Sequence, residues 1–420
     1  MSASSPTSQA STGRQLNVGL IGIGVGGSRI LPAMEAMPLV NLMAGADINP
    51  LSRDEFVREY PNARVYASAE EICEDPEVEA VWISTPNRFH AEHVALAARH
   101  GKHIIVEKPM ALSMDQAAQM VKDAEEYGVK MLAGHTRSYS PPMRATRRIV
   151  DSGVLGPLRA INIFSYSDWL LRPRAIEELD LAQGGGVPYR QGPHQVDTVR
   201  FIGGGMLRSV RGMTGQWLAG RESPGFYTAY MEFEDGTPAT IVHNGNGYFI
   251  GTELVPWGES KQNYSVEERS TLHKQIASGT RSEIEDKQER RDVTLAGEKA
   301  AIKNHERRPW LPDDLGVVIV SCERGDIRQS KYGLYVYDND GVHDVDIELE
   351  DNAGFAELEE LYNSVVLDQP TFHTGAWGMA TLEAVLAIME SAKERREIML
   401  THQVPIDPNC DKDFAVSYLS

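Results

Sequence analysis

The apolar run Val18-Gly19-Leu20-Ile21 leads straight into Gly22-Ile23-Gly24-Val25-Gly26-Gly27, a glycine spacing suited to cradling a diphosphate at the start of a helix. In such a turn Gly22 permits the tight bend and Gly24 lets the backbone approach the anion. Gly27 lets helix and strand pack closely, and Ile23 is carried between the first two glycines. A second apolar run, residues 39–46, ends in Asp47, where a carboxylate can accept hydrogen bonds from an adenosine ribose. Asp47 would repel a 2'-phosphate and so favours NAD, while Arg53 nearby keeps NADP open.

Two other stretches carry groups able to handle a proton. Glu107-Lys108-Pro109 ends an apolar strand at the edge where open α/β sheets hold their ligands, so Lys108 can hydrogen-bond a substrate hydroxyl and a nicotinamide ribose. Gly184-Gly185-Gly186-Val187-Pro188-Tyr189-Arg190-Gln191-Gly192-Pro193-His194 is expected to be a glycine-rich loop delivering His194 at the start of a helix, with Asp197 one turn on. A histidine there can take a hydroxyl proton while the adjacent C–H gives hydride to NAD+, and can return it in reverse. Alone, each group has a structural reading, as a surface lysine before a turn or a histidine at a helix start. Their company with a dinucleotide turn favours chemistry.

The elements that must position these residues change character along the chain. Apolar strands at residues 64–67, 78–84, 103–107 and 129–133 alternate with helices at 50–60, 89–100 and 113–127. That alternation predicts a parallel sheet covered by helices on both faces, a Rossmann domain over residues 14–138. Pro32 falls inside the helix expected after Gly27 and should kink it or mark a late start. Beyond residue 138 a helix is followed by period-two alternation at 158–166 and by β-rich runs at 207–213, 227–233, 239–244, 316–321 and 334–337. These predict a second α/β domain, residues 139–420, with a large open, mainly antiparallel sheet. The polar stretch at about 257–310 is an insertion that forms surface helices or a lid, with a solvated excursion favoured over either. Two amphipathic helices, 355–367 and 380–394, close the chain, and residues 1–13 are expected to form a disordered tail.

A chain of 420 residues implies two domains, and a net charge of -19 argues against sequence-independent nucleic-acid or anionic-membrane binding. Partners should be a small molecule and further copies of the chain. Cys73, Cys322 and Cys410 lie far apart with no C-x-x-C pair, which indicates no disulfide framework and no metal site, and suits reduced thiols in a cytoplasmic protein. The first residues lack an apolar core, so neither a signal peptide nor an anchor is expected, and no apolar run elsewhere is long enough to span a bilayer.

Taken in order, Gly22 to Gly27, Thr85-Pro86-Asn87 with His90, Gly101-Lys102-His103 through Pro109, and Gly184 to Asp197 resemble the successive motifs of the Gfo/Idh/MocA oxidoreductases. The resemblance covers nearly the whole chain. It implies a Rossmann domain followed by an α/β domain whose sheet often mediates homodimers or homotetramers. It also implies that Lys108 and His194 are the catalytic pair, with Thr85, Pro86, Asn87, His90 and Glu107 lining the nicotinamide half of the cofactor site. Ser167 to Arg174, Val320 to Asp326 and the segment 377–392 are similar to the phthalate dihydrodiol dehydrogenase branch, whose members oxidise a carboxylated cis-dihydrodiol to a catechol. A sugar, glycoside or cyclitol dehydrogenase is the alternative within the family, with Asp168 or Asp197 accepting from substrate hydroxyls. A non-catalytic cofactor-binding regulator is the alternative outside catalysis.

One position departs from the family pattern. Many members carry aspartate four residues before the histidine, where this chain has Arg190. Arginine accepts neither a proton nor a hydrogen bond, so Arg190 either turns outward or offers a fixed cation to an anionic substrate. Arg172 and Arg174 are further candidates, because guanidinium forks match carboxylates. Tyr166, Trp169, His135 and Arg137 are candidate pocket walls.

Overall fold

Continuous apolar runs can be buried on both faces only between layers of helix. In the computed structural model, which describes residues 13–134, 137–258, 263–304, 309–313, 315–348 and 353–419, that requirement is met first by six strands. They are β1 (Leu16–Ile21), β2 (Val40–Ala46), β3 (Arg64–Tyr66), β4 (Ala80–Ile83), β5 (His103–Glu107) and β6 (Met131–Gly134). All neighbours are parallel, in the order β3-β2-β1-β4-β5-β6 of a Rossmann sheet. The helices α1 (Val25–Ala36), α2 (Pro50–Glu59), α3 (Ala69–Glu74), α4 (His90–Arg99) and α5 (Met114–Glu126) connect them. Ser113 opens α5 by accepting from the Gln116 amide, as its capping pattern predicts. Helix α1 begins at Val25 and runs through Pro32, so of the two expectations, a kink or a late start, the late start does not hold: the ring removes one amide donor without ending the helix. The expected tail falls outside the described residues for 1–12.

The second half begins with α6 (Pro141–Ser152), stopped by Gly153 in the left-handed conformation. Strand β7 (Leu158–Tyr166) follows, then α7 (Ile176–Leu179), α8 (Val187–Gly203), β8 (Leu207–Gly215), β9 (Phe226–Phe233) and β10 (Pro238–Asn244). After α9 (Val266–Ser278) and α10 (Glu283–Asn304) come β11 (Val317–Cys322), β12 (Gly325–Ser330), β13 (Gly333–Asp338) and β14 (Gly341–Asp346). The chain closes with α11 (Ala353–Val366), α12 (Gly375–Glu394) and β15 (Ile398–Met399).

Nine strands among the described residues form one sheet, β14-β13-β12-β11-β7-β10-β9-β8-β15, antiparallel except where β7 and β10 run parallel. Its inner face, including Ile161, Ile163, Ala229, Met231 and Ile241, is buried in one core with residues of α8 and α12. Helix α11 instead packs under the first sheet, where Leu358, Leu361 and Tyr362 join Leu16, Val18 and Trp82. The last third of the chain therefore ties the two sheets together.

The insertion is tied at its base by the Trp257 indole, which donates to the Trp310 carbonyl at 2.8 Å. It is not a solvated excursion. Helix α10 lies against α1, and Arg291 and Lys299 on it pair with Glu55 and Glu59 of α2.

Candidate active site

The glycine turn has the shape its spacing predicts. Gly22 has φ +95°, and a Cβ there would come within 2.8 Å of the Ser84 backbone. At Gly27 a Cβ would stand 2.3 Å from the Gly22 carbonyl oxygen, so turn and helix touch backbone to backbone. A Cβ on Gly24, at the N-cap of α1, would meet nothing within 4 Å. The turn is therefore closed on its strand side and open where α1 presents its first amides, which is the cradle a diphosphate needs. Asp47, just past the end of β2, accepts from the Ile23 amide at 2.8 Å and the Asn49 amide at 2.8 Å, which puts the ribose-binding candidate against the loop. Arg53 donates to the Asp47 carbonyl and so braces the same corner. These residues fit a dinucleotide.

After β4, Asn87 is buried and its amide group donates to the Gly184 carbonyl at 3.3 Å. Thr85 bonds the His93 ring, while His90 is held between two carbonyls, Thr85 and Pro109, each at 2.9 Å. Burial lowers the His90 pKa to about 4 against the pull of those carbonyls. His90 thus stands between the loop carrying Thr85, Pro86 and Asn87 and the loop carrying Lys108, its neutral ring donating to one of the two carbonyls at a time, and the ring is fully enclosed rather than lining a pocket. Glu107 accepts from the Trp82 indole at 3.3 Å, and burial raises its pKa although Lys108 opposes the rise.

The triple glycine is explained by backbone geometry. Gly184 and Gly186 have φ +78° and +84°, and a Cβ on Gly185 would meet the Glu178 carbonyl at 2.6 Å. Helix α8 starts at Val187 with Pro188 in its first turn, so His194 lies in the second turn and not at the helix start. Pro193 sits inside the helix, where it is tolerated, and does not mark its boundary. The Lys108 ammonium donates to the Arg190 carbonyl at 3.1 Å, one turn before buried His194. That bond draws the end of β5 onto the part of α8 that carries the histidine. Asp197 is fully buried and accepts from the Trp377 indole at 2.6 Å and the Thr381 hydroxyl at 3.1 Å, so it anchors α8 to α12 and does not face a ligand.

The three arginines do not converge on one opening. Arg172 is buried against Asp168 at 2.6 Å, and Asp168 also accepts from Asn263. Arg174 lies on the Trp169 ring and reaches Glu178 Oε1 at 3.1 Å. Burial lowers its pKa to about 9, still charged at neutral pH. Arg190 turns inward, donating to Asn87 Oδ1 at 2.8 Å with its other amino nitrogen 3.5 Å from the same Glu178 oxygen. It keeps 25% of its side-chain exposure, unlike Arg172 and Arg174 at 8% and 10%. Burial pushes the Glu178 carboxyl up, but Arg174, Arg190 and Lys287 of α10 outweigh it and hold it well below the carboxylate range. Tyr166 packs edge-on to Phe249, Trp169 is buried beneath Arg174, and Arg137 is half-buried before α6. His135 lies outside the described residues. Glu178 and Lys287, absent from the sequence-based candidates, carry no spacing signal, since one sits in a four-residue helix and the other in a charge run.

Comparison with known proteins follows the same division. Residues 16–135 match the family model described as oxidoreductase family, NAD-binding Rossmann fold, and residues 143–249 match the GFO/IDH/MocA C-terminal domain. A 1-carboxy-3-chloro-3,4-dihydroxycyclo hexa-1,5-diene dehydrogenase of Comamonas testosteroni is 31% identical over 390 residues, 90% of this chain and 95% of that protein. A scyllo-inositol 2-dehydrogenase (NADP(+)) of Bacillus subtilis is 29% identical over 50% of this chain and 56% of its own. The crystal structure of a Bordetella bronchiseptica RB50 protein, named as a dehydrogenase, superposes with a TM-score of 0.82 at 33% identity, covering 92% of this chain and 100% of that one.

Proposed function

The chain belongs to the GFO/IDH/MocA oxidoreductases, NAD-binding enzymes acting on CH–OH donors, and from that premise we propose that it oxidises a carboxylated cis-dihydrodiol to a catechol. The observation that carries the substrate class is Arg190, a part-exposed cation that stands one helical turn from His194 and whose carbonyl holds Lys108. The dehydrogenase of Comamonas testosteroni, similar over nearly its full length, is named for a carboxylated ring diol. Asp168 and Asp197, which a polyhydroxylated sugar would need as acceptors, are both engaged within the protein.

In this reading the glycine turn would hold the diphosphate of NAD+, whose nicotinamide would supply the hydride acceptor. Lys108 holds the oxygen of the reacting hydroxyl, and His194 takes its proton as the C–H bond breaks. In the resulting hydroxyenone the carbon that still bears a hydroxyl loses its C–H proton and the new carbonyl oxygen gains one, so the ring becomes an aromatic catechol, which pulls the equilibrium forward. Arg190 pairs with the ring carboxylate and sets the ring's orientation. Asp47 favours NAD over NADP.

We further propose a homo-oligomer joined through the outer face of the large sheet. Val317, Phe164, Val242, Thr228 and Met213 form one cross-strand row there, with Phe164 and Met213 exposed. Light scattering on the wild type and on Phe164→Lys tests this, with a smaller particle expected for the variant. For the substrate, NADH absorbance is followed with carboxylated cis-dihydrodiols, inositols and sugars. Turnover of the dihydrodiols supports the proposal, and turnover of inositols or sugars alone overturns it.

A further inference from the structure

Helix α10 of the insertion has no apolar face: its sequence EIEDKQERRDVTLAGEKAAIKN is charged on every side, with Leu295 buried within it. A helix of that kind is held by what it bridges. Near its start, Glu283 pairs with Arg221 at 2.7 Å and accepts from the Arg174 amide, while Lys287 pairs with Glu178. One turn later Arg291 donates from Nε to the Ile23 carbonyl at 3.3 Å and pairs through Nη1 with Glu55, and Lys299 pairs with Glu59 at 2.6 Å. Lys287 and Arg291, four residues apart, share one helix face about 6 Å long. That face reaches from the arginine cluster beside Asn87 to the glycine turn.

We propose that α10 is a strap over the dinucleotide cleft and that Arg291 is a ligand of the cofactor's diphosphate. Ile23 lies between Gly22 and Gly24, so a guanidinium bonded to its carbonyl stands beside the open side of the turn. Nε and Nη1 are occupied and Nη2 has no partner among the described residues, which leaves one end of the fork for a phosphate oxygen. Glu55 pairs with this buried guanidinium through Nη1. The proposal rests on the glycine turn binding a dinucleotide.

The test is equilibrium binding, read by the quenching of tryptophan fluorescence in the full chain. NADH, NADP+, ADP-ribose, ADP and adenosine are titrated into the wild type, Arg291→Gln and, as a control of equal charge change on the same helix, Lys299→Gln. Arg291→Gln is expected to weaken NADH, ADP-ribose and ADP by about tenfold, the scale of one hydrogen bond to a charged group, and to leave adenosine unchanged. Lys299→Gln should change none of them more than about twofold, a small fraction of that hydrogen-bond effect. Arg291→Lys should recover part of the loss, which a merely misfolded helix would not do. Equal binding by wild type and Arg291→Gln overturns the proposal while leaving the glycine turn's role intact. A loss confined to NADP+ assigns Arg291 to the 2'-phosphate and also overturns it. Failure of the wild type to bind NADH removes the premise itself.

Discussion

The two ends of the cleft are made of different materials. At the cofactor end the site is backbone: Gly22 and Gly27, whose missing Cβ atoms set the turn, the first amides of α1 beside open Gly24, and one carboxylate bonded to the loop. At the other end it is side-chain charge drawn from distant segments, with Arg174, Arg190 and Lys287 around Glu178, and Lys108 on the Arg190 carbonyl. Backbone geometry is demanded by local sequence, whereas charge can be assembled from anywhere in the fold. The first kind of site should fail by losing its shape and the second by losing its balance.

Changes at the charged end should cut turnover without touching cofactor affinity. His194→Ala is expected to lower kcat by roughly 10²- to 10⁴-fold, the usual range for a proton-transfer group, with NADH affinity nearly unchanged. Steady-state rates beside a binding titration check this, and a parallel loss of affinity would erase the distinction between the ends. Glu178→Gln leaves three cations facing one neutral amide and should destabilise the fold by roughly 3–5 kcal/mol in urea unfolding. Because Glu178 is depressed in the fold, its contribution is complete above the unfolded carboxylate pKa and fades as pH falls below it. The variant should lack that acid-dependent part.

His90 joins the two ends, and its pKa predicts an intermediate effect. An unfolded histidine gains its proton near pH 6.5 and the folded one only near 4, so stability is lost as pH falls across that window, by roughly 3 kcal/mol in all. His90→Asn should flatten the slope of unfolding free energy against pH between those values, and an unchanged slope would dismiss that contribution. The smallest effects belong to the cofactor end, where Gly27→Ala forces a Cβ against the Gly22 carbonyl and should cost about 1–3 kcal/mol of stability. Gly24→Ala meets open space and should leave the melting temperature in place while weakening NADH binding.

This division also explains what could be read from the chain alone. The turn, Asp47, the parallel strands and the β-rich runs at 227–233 and 239–244 follow from local pattern, and each stands where its residues predict. Two prolines disguised the start of α8, because Pro188 suits a first helical turn and Pro193 is tolerated within the helix, so His194 was expected too near its beginning. Strand β12, with the polar sequence GDIRQS, has no alternation of apolar and polar residues to mark it as a strand. The place of α10 was illegible because ion pairs to Glu55, Glu59 and Glu178 hold it, and charge has no sequence period that names its partner.

The claim that Arg190 replaces an acidic residue in order to select an anionic ring is tested most directly by one ratio. It is kcat/KM for a carboxylated cis-dihydrodiol over that for the same diol without its carboxylate, in the wild type and in Arg190→Gln. The account predicts a preference of about tenfold or more in the wild type, the scale of a charge-assisted hydrogen bond, falling toward unity in the variant. A wild-type ratio near unity, or a preference that survives in Arg190→Gln, would contradict it.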